Sequence, residues 1–188
     1  AERGTPLTGG CGREYFLLRA AWEARVAVPE PLWNGDGSFG VNFLIMRRVA
    51  GETLGGRLVR GPQYAAAREN LPAELATSLA RIHGIDASRY PPLLELPRPA
   101  PGESPALAEI RNYEKRYAES ALDPHPVFEL AFRWLHAHLP APHEPVLVHG
   151  DCRLGNLIFD EQGLRAVIDW ELAHFGDPME DIGWIAVR

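Results

Sequence analysis

Lysine is almost missing from this chain of 188 residues: nineteen side chains are basic, and Lys115 is the only one that is not arginine. Lys115 lies in a helical stretch, so a site that calls for a lysine on a strand cannot draw on it. Cysteine is nearly as scarce. Cys11 and Cys152 stand far apart and outside any metal-ligand spacing, which argues against a cysteine-built metal site and fits a reduced, cytoplasmic protein. No uninterrupted apolar run reaches membrane-spanning length, and no basic segment followed by an apolar stretch opens the chain. A membrane span and a secretory leader are therefore not expected. Positive charge is also in deficit: the net charge is -6, which leaves no general basic field for nucleic acid. There is no internal repeat, and no biased tract beyond a run of prolines.

What is present is an ordinary globular composition, 46% hydrophobic and 23% charged. It suits one domain, provided most of the chain packs into a single core. The most informative stretch runs from Val146 to Trp170. The apolar runs Leu157-Ile158-Phe159 and Leu164 to Ile168 flank the polar, glycine-ended turn Asp160-Glu161-Gln162-Gly163, a β-hairpin signature. A hairpin brings the chain back to where it began. Asn156, just before the outgoing strand, and Asp169, just after the returning one, should therefore sit side by side. Asp151 lies in the loop that leads in. A carboxylate and an amide oxygen together can hold Mg²⁺, while a second carboxylate takes the proton of a hydroxyl. Cys152 beside Asp151 reads as a small residue beneath the loop.

At these residues a family resemblance enters. His149-Gly150-Asp151-x-x-x-x-Asn156, followed by Ile168-Asp169-Trp170-Glu171, resembles the catalytic segment of the aminoglycoside phosphotransferase and choline kinase-like family. The resemblance implies an α+β, protein-kinase-like bilobal fold with a truncated small β lobe. Its large lobe would be mostly helical and carry the catalytic-loop hairpin. It also implies roles. Asp151 would accept the substrate hydroxyl proton, and Asn156 and Asp169 would hold Mg²⁺ against the ATP phosphates. Arg153 falls where protein kinases carry a phosphate-facing lysine, and His149 would support the site. Gly176-Asp177-Pro178-Met179-Glu180-Asp181 is similar to a further family segment, in which Asp181 would brace the catalytic-loop backbone.

Kinases of this fold grip the phosphates from a small-lobe strand with a cation that pairs with a Glu on the next helix. Glu14 occupies a helix resembling that one, Gly12 to Trp22, with Leu18, Ala21, Trp22 and Arg25 on one face. Residues 1–50 are thus expected to be a remnant of the nucleotide-binding lobe and hinge, and residues 51–188 the large lobe. Gly35-Asp36-Gly37-Ser38-Phe39-Gly40 matches a phosphate-loop pattern, but a β-type run follows it instead of a helix. It reads as a turn joining strands at 31–33 and 41–46. By resemblance the next stretch is the hinge: Met46 would back the adenine, with the Arg47 carbonyl and Val49 amide at its edge.

Downstream, Pro72 can open a helix with Leu75, Leu79 and Ile82 on one face and Gly84 as its stop. Its His83 reads as a packed, hydrogen-bonded residue. Prolines between Tyr90 and Pro105 read as a rigid surface linker. Ser104-Pro105 caps a helix bearing Leu107, Ile110, Tyr113 and Tyr117, and another follows Pro126 with Val127, Leu130, Ala131, Trp134 and Leu135. In the family such helices shape the acceptor site. Glu109, Glu114 and Glu119 could face substrate, but they are expected to be solvated helix charges. The function implied is ATP- and Mg-dependent phosphoryl transfer to a hydroxyl of a small molecule. Ile168 to His174 and Gly176 to Pro178 look most like kinase-like domains related to those fused to acyl-CoA dehydrogenases, which points to hydroxyacyl acceptors. A non-catalytic, pseudokinase-like binding module is the alternative, and a metal-dependent hydrolase using His149, Asp151 and Asp169 a more remote one.

Overall fold

The computed structural model describes residues 10–35, 40–120 and 123–186, so the turn expected at 36–39 lies outside the described residues. Helix α1 (Gly10–Glu23) forms because Leu17, Leu18, Ala20 and Ala21 bury one side of it almost completely. Each buried leucine is worth about 1.5–3 kcal/mol. Trp22, expected on that face, is 46% exposed, and the chain leaves the helix at Arg25, which adopts a left-handed φ of 60°. Strands β1 (Pro31–Asn34) and β2 (Leu44–Met46) pair antiparallel, the second shorter than its apolar run. The chain then crosses to the helical part. The backbone of Glu52 exchanges two hydrogen bonds with Phe159, at 2.8 and 3.0 Å, and the Glu52 carboxylate accepts from the Thr53 and Leu54 amides just ahead of helix α2 (Gly55–Arg60).

Helix α3 (Ala65–His83) is the axis of the core, with Ala67, Leu71, Leu75, Leu79 and Ile82 buried along one side. It starts seven residues earlier than Pro72 suggests, and Pro72 stands inside it. The ring removes one helical hydrogen bond, but it sits on the exposed side, where the freed carbonyl can turn to solvent. The proline-rich stretch is likewise not only a surface spacer. It coils into a 3-10 turn (Pro91–Glu95) that buries Tyr90, Leu93 and Leu96, and the Pro97 carbonyl accepts from the Phe175 amide at 2.9 Å.

Helix α4 (Pro105–Ser120) opens where the Ser104 hydroxyl accepts from the Leu107 amide at 3.1 Å, and α5 (Pro126–Ala137) lies against it. Strand β3 (Val146–Val148) pairs with β6 (His174–Gly176), and β4 (Leu157–Phe159) with β5 (Leu164–Val167), both antiparallel. Helix α6 (Met179–Ala186) closes the described chain, capped by the Asp177 carboxylate on the Met179 amide at 2.9 Å. No helix among the described residues is long and apolar enough to cross a membrane. Leu147, Leu157, Phe159, Val167 and Trp170 join α1 and α3 in one core.

Candidate active site

Strand β3 delivers His149, Gly150 and Asp151 to the end of the core. Gly150 takes a φ of +79°, and a Cβ there would lie 2.4 Å from the Leu172 carbonyl oxygen, so only glycine fits. The His149 ring is buried; its Nε2 donates to the Ile168 carbonyl at 3.1 Å, and its Nδ1 accepts from the Asp151 amide at 3.3 Å. Burial pushes the His149 pKa down, against the pull of the Asp181 charge, and keeps the ring neutral. Asp181 is fully buried. Its carboxylate accepts from the amides of His149 (3.0 Å) and Gly150 (2.9 Å) and from His83 Nε2 (2.9 Å). Burial alone would raise its pKa, but these donors outweigh burial and hold it low.

Asp151 is half-buried beside Asn156. The Asn156 Nδ2 donates to the Asp151 carbonyl at 2.9 Å and to its carboxylate at 2.6 Å. Arg153, exposed, reaches both carboxylate oxygens through Nε, at 3.0 and 3.1 Å. With its amide nitrogen committed to Asp151, Asn156 presents its side-chain oxygen as the free end, an orientation assigned from this hydrogen-bond pattern. The Ile168 amide donates to the Asn156 carbonyl at 2.9 Å, and Leu157 faces Val167 across the hairpin, so Asp169 emerges next to Asn156. Asp169 has a left-handed φ of 68°, which in a non-glycine residue costs about 1–3 kcal/mol. Its carboxylate is exposed and accepts no hydrogen bond among the described residues. An unengaged carboxylate beside a free amide oxygen is a hard-oxygen donor set that fits Mg²⁺.

Helix α1 carries Glu14 towards the same cleft. Burial raises its pKa, and the carboxylates of Asp169 and Glu171 raise it further; no cation pairs with it among the described residues. Met46, Arg47 and Val49 leave β2 on the other side. The Arg47 amide donates to the Glu30 carbonyl at 2.8 Å, while the Arg47 carbonyl and Val49 amide have no protein partner among the described residues. Cys152 is buried under the loop, and burial pushes its thiol up to about 12, so it is inert as a nucleophile.

The residues that sequence reasoning missed lie opposite Gly150. A cavity of about 350 Å³ is lined by Gly150, Glu109, Tyr113, Arg116, His174 and Glu180. Glu114 and Glu119 make surface pairs with His136 and Lys115, but Glu109 faces this cavity and is no solvated charge. His174 stands 3.2 Å from the Glu180 carboxylate; burial pulls its pKa down, yet Glu180 and the Leu172 carbonyl raise it to about 9. A second, apolar cavity of about 760 Å³ adjoins the first, lined by Ile110, Tyr117, Phe128, Phe132, Leu135 and Met179. The two share Glu109, Tyr113, Arg116 and Glu180. No local motif announces this arrangement, since its polar groups are divided among α4, β6 and α6, far apart in the chain.

Comparison with known proteins bears on the family and the fold. The chain is 29% identical over 180 residues to acyl-CoA dehydrogenase family member 11 of Rattus norvegicus, covering 93% of the chain and 22% of that protein. It is 29% identical over 183 residues to member 10 of Mus musculus, covering 95% and 17%. It therefore spans only about a fifth of these relatives. Among solved structures, the GDP complex of aminoglycoside 2'-phosphotransferase-IIIa superposes with a TM-score of 0.69 at 18% identity, over 92% of this chain and 59% of that one. The streptomycin-ATP-APH(2")-IIa ternary complex gives 0.58 at 21%, over 90% and 57%. These neighbours show a protein-kinase-like α+β fold. Residues 3–188 match the sequence signature of the phosphotransferase enzyme family (APH), and the chain belongs to that family.

Proposed function

We propose that the protein transfers the γ-phosphoryl group of ATP, with Mg²⁺, to a hydroxyl of a small, partly apolar molecule. The observation that carries this reading is the placement of Asp151, its carboxylate hydrogen-bonded to Asn156 and its chain neighbour Gly150 lining a cavity built by α4, β6 and α6. Asp151 orients the acceptor hydroxyl and takes its proton; in a loose transition state that proton moves late, so no strongly raised pKa is needed. Asn156 and Asp169 would hold Mg²⁺, which supplies charge neutralisation at the phosphates. Arg153 lies within reach of Asp151 and can swing to the transferred phosphoryl group as a bidentate donor. The Arg47 carbonyl and Val49 amide would meet the adenine edge, with Met46 behind it.

The apolar cavity beyond Tyr113 suits the chain of a hydroxyacyl acceptor better than a polycationic sugar, because its lining between α4 and α5 is largely hydrocarbon. Resemblance to the kinase-like part of acyl-CoA dehydrogenase family members supports the same acceptor class. The test is Mg²⁺-dependent ATP consumption by the intact protein with hydroxyacyl thioesters, other hydroxylated metabolites and aminoglycosides. Turnover with a hydroxyacyl acceptor is expected. Nucleotide binding with no turnover for any acceptor would leave a binding module instead.

A further inference from the structure

We propose that Glu109, His174 and Glu180 form a second cation site, for a first-row divalent metal of the zinc type, separate from the Asn156–Asp169 pair. One ligand atom from each of the three lies within 4.8 Å of the other two, and the residues come from α4, β6 and α6. An imidazole with two carboxylates is a borderline nitrogen and oxygen donor set that neutralises a divalent ion and suits zinc better than magnesium.

Several features around the three donors belong to a metal centre. The His174 Nδ1 is tied to the Leu172 carbonyl at 2.9 Å, which fixes the ring and leaves Nε2 facing the carboxylates. The Glu109 carboxylate is supported by Asn112, whose amide reaches its oxygens at 3.3 and 3.5 Å. Such outer partners orient metal ligands. The Glu180 Oε2 is buried and receives no hydrogen bond among the described residues, although His174 Nε2 is only 3.2 Å away. The two form an ion pair whose imidazole proton a bound divalent ion would displace. Two ligands of one tetrahedral zinc, each about 2.0–2.1 Å from the ion, stand about 3.3 Å apart in the same way. Gly176 keeps the approach open: a Cβ there would lie 2.8 Å from His174 Nε2 and 3.1 Å from Glu180 Oε2, and its backbone is not left-handed, so space explains the glycine. The remaining coordination positions face the cavity beside Gly150, where an oxygen of a bound ligand can complete the shell.

The site is tested by binding alone, so its outcome does not depend on phosphoryl transfer. The intact protein, stripped with chelator, is titrated with zinc chloride at about pH 8 in excess magnesium, since loading displaces the imidazole proton. Cobalt(II) is then bound in its place and its visible spectrum recorded. One zinc per chain is expected, with a cobalt spectrum of low coordination number. H174N should abolish binding, and E109Q and E180Q should each weaken it by about tenfold or more, while D169N leaves it unchanged. E109Q alters only a half-buried side chain on α4 and keeps the test decisive if the other variants unfold. Absence of zinc binding, unchanged affinity in E109Q, or loss of the ion in D169N instead would each overturn the proposal.

Discussion

The β4–β5 hairpin and the α4–α5 pair are built on opposite principles. Around the hairpin, Phe159, Val167 and Trp170 are buried to 1% exposure or less, and the Asp181 and Asp151 carboxylates are each held by named partners. Helix α5 buries no residue fully; Val127, Leu130 and Trp134 are 66, 69 and 57% exposed, and an apolar cavity lies between α4 and α5. The difference teaches a division of labour. The hairpin side is over-determined, whereas the side that would take the acceptor leaves hydrocarbon open for a ligand to cover.

The largest effect should come from the base. D151N is expected to lower turnover by about 10²–10⁴-fold while Mg·ATP affinity stays nearly unchanged, whereas D169N should weaken Mg·ATP binding as well. Nucleotide titrations at fixed Mg²⁺ beside turnover rates check this, and equal loss of ATP affinity in both variants would show the roles to be misassigned. Next comes the brace. D181N leaves three donors at 2.9–3.0 Å facing an amide in place of a carboxylate, and unfolding in urea should show a loss of about 3 kcal/mol or more.

The packing contrast itself is tested by a pair of truncations. L79A, in the buried face of α3, should cost about 2–5 kcal/mol, while L130A on α5 should change stability by less than about 0.5 kcal/mol. Comparable losses from the two would erase the distinction. The smallest effect concerns Glu14. Its folded pKa is raised, by burial first and then by Asp169 and Glu171. The protonated form therefore favours folding below the unfolded carboxyl pKa, and that contribution is lost as pH rises through the folded value. E14Q should be more stable than the wild type at neutral pH, with the gap closing towards acid; thermal unfolding across pH 4 to 8 reads this.

The hairpin was legible because its signals are local: apolar runs of strand length, a glycine-ended turn, and polar residues at both ends. Helix α1 and the cap at Ser104 were legible for the same reason. Pro72 misled because its penalty falls on an exposed side of a helix whose buried face, from Ala67 onward, outweighs it. The proline-rich stretch misled because Leu93 and Leu96 pack although prolines surround them. Glu109 and His174 share no local pattern, and only the fold makes them neighbours.

Three side chains of α3 reach far along the chain: Asn70 to the Gln162 carbonyl, Glu74 to the Leu164 amide, and His83 to Asp181, across 92, 90 and 98 residues. These contacts close one long loop, and α4 and α5 lie inside it. Closure entropy grows only with the logarithm of loop length, about 0.6 kcal/mol for each doubling. Residues can therefore be added between α3 and β3 at little thermodynamic cost, and the stitches to the hairpin re-form around them. Lineages can lengthen, shorten or rebuild the region between α3 and β3 while the far side of the loop keeps its shape.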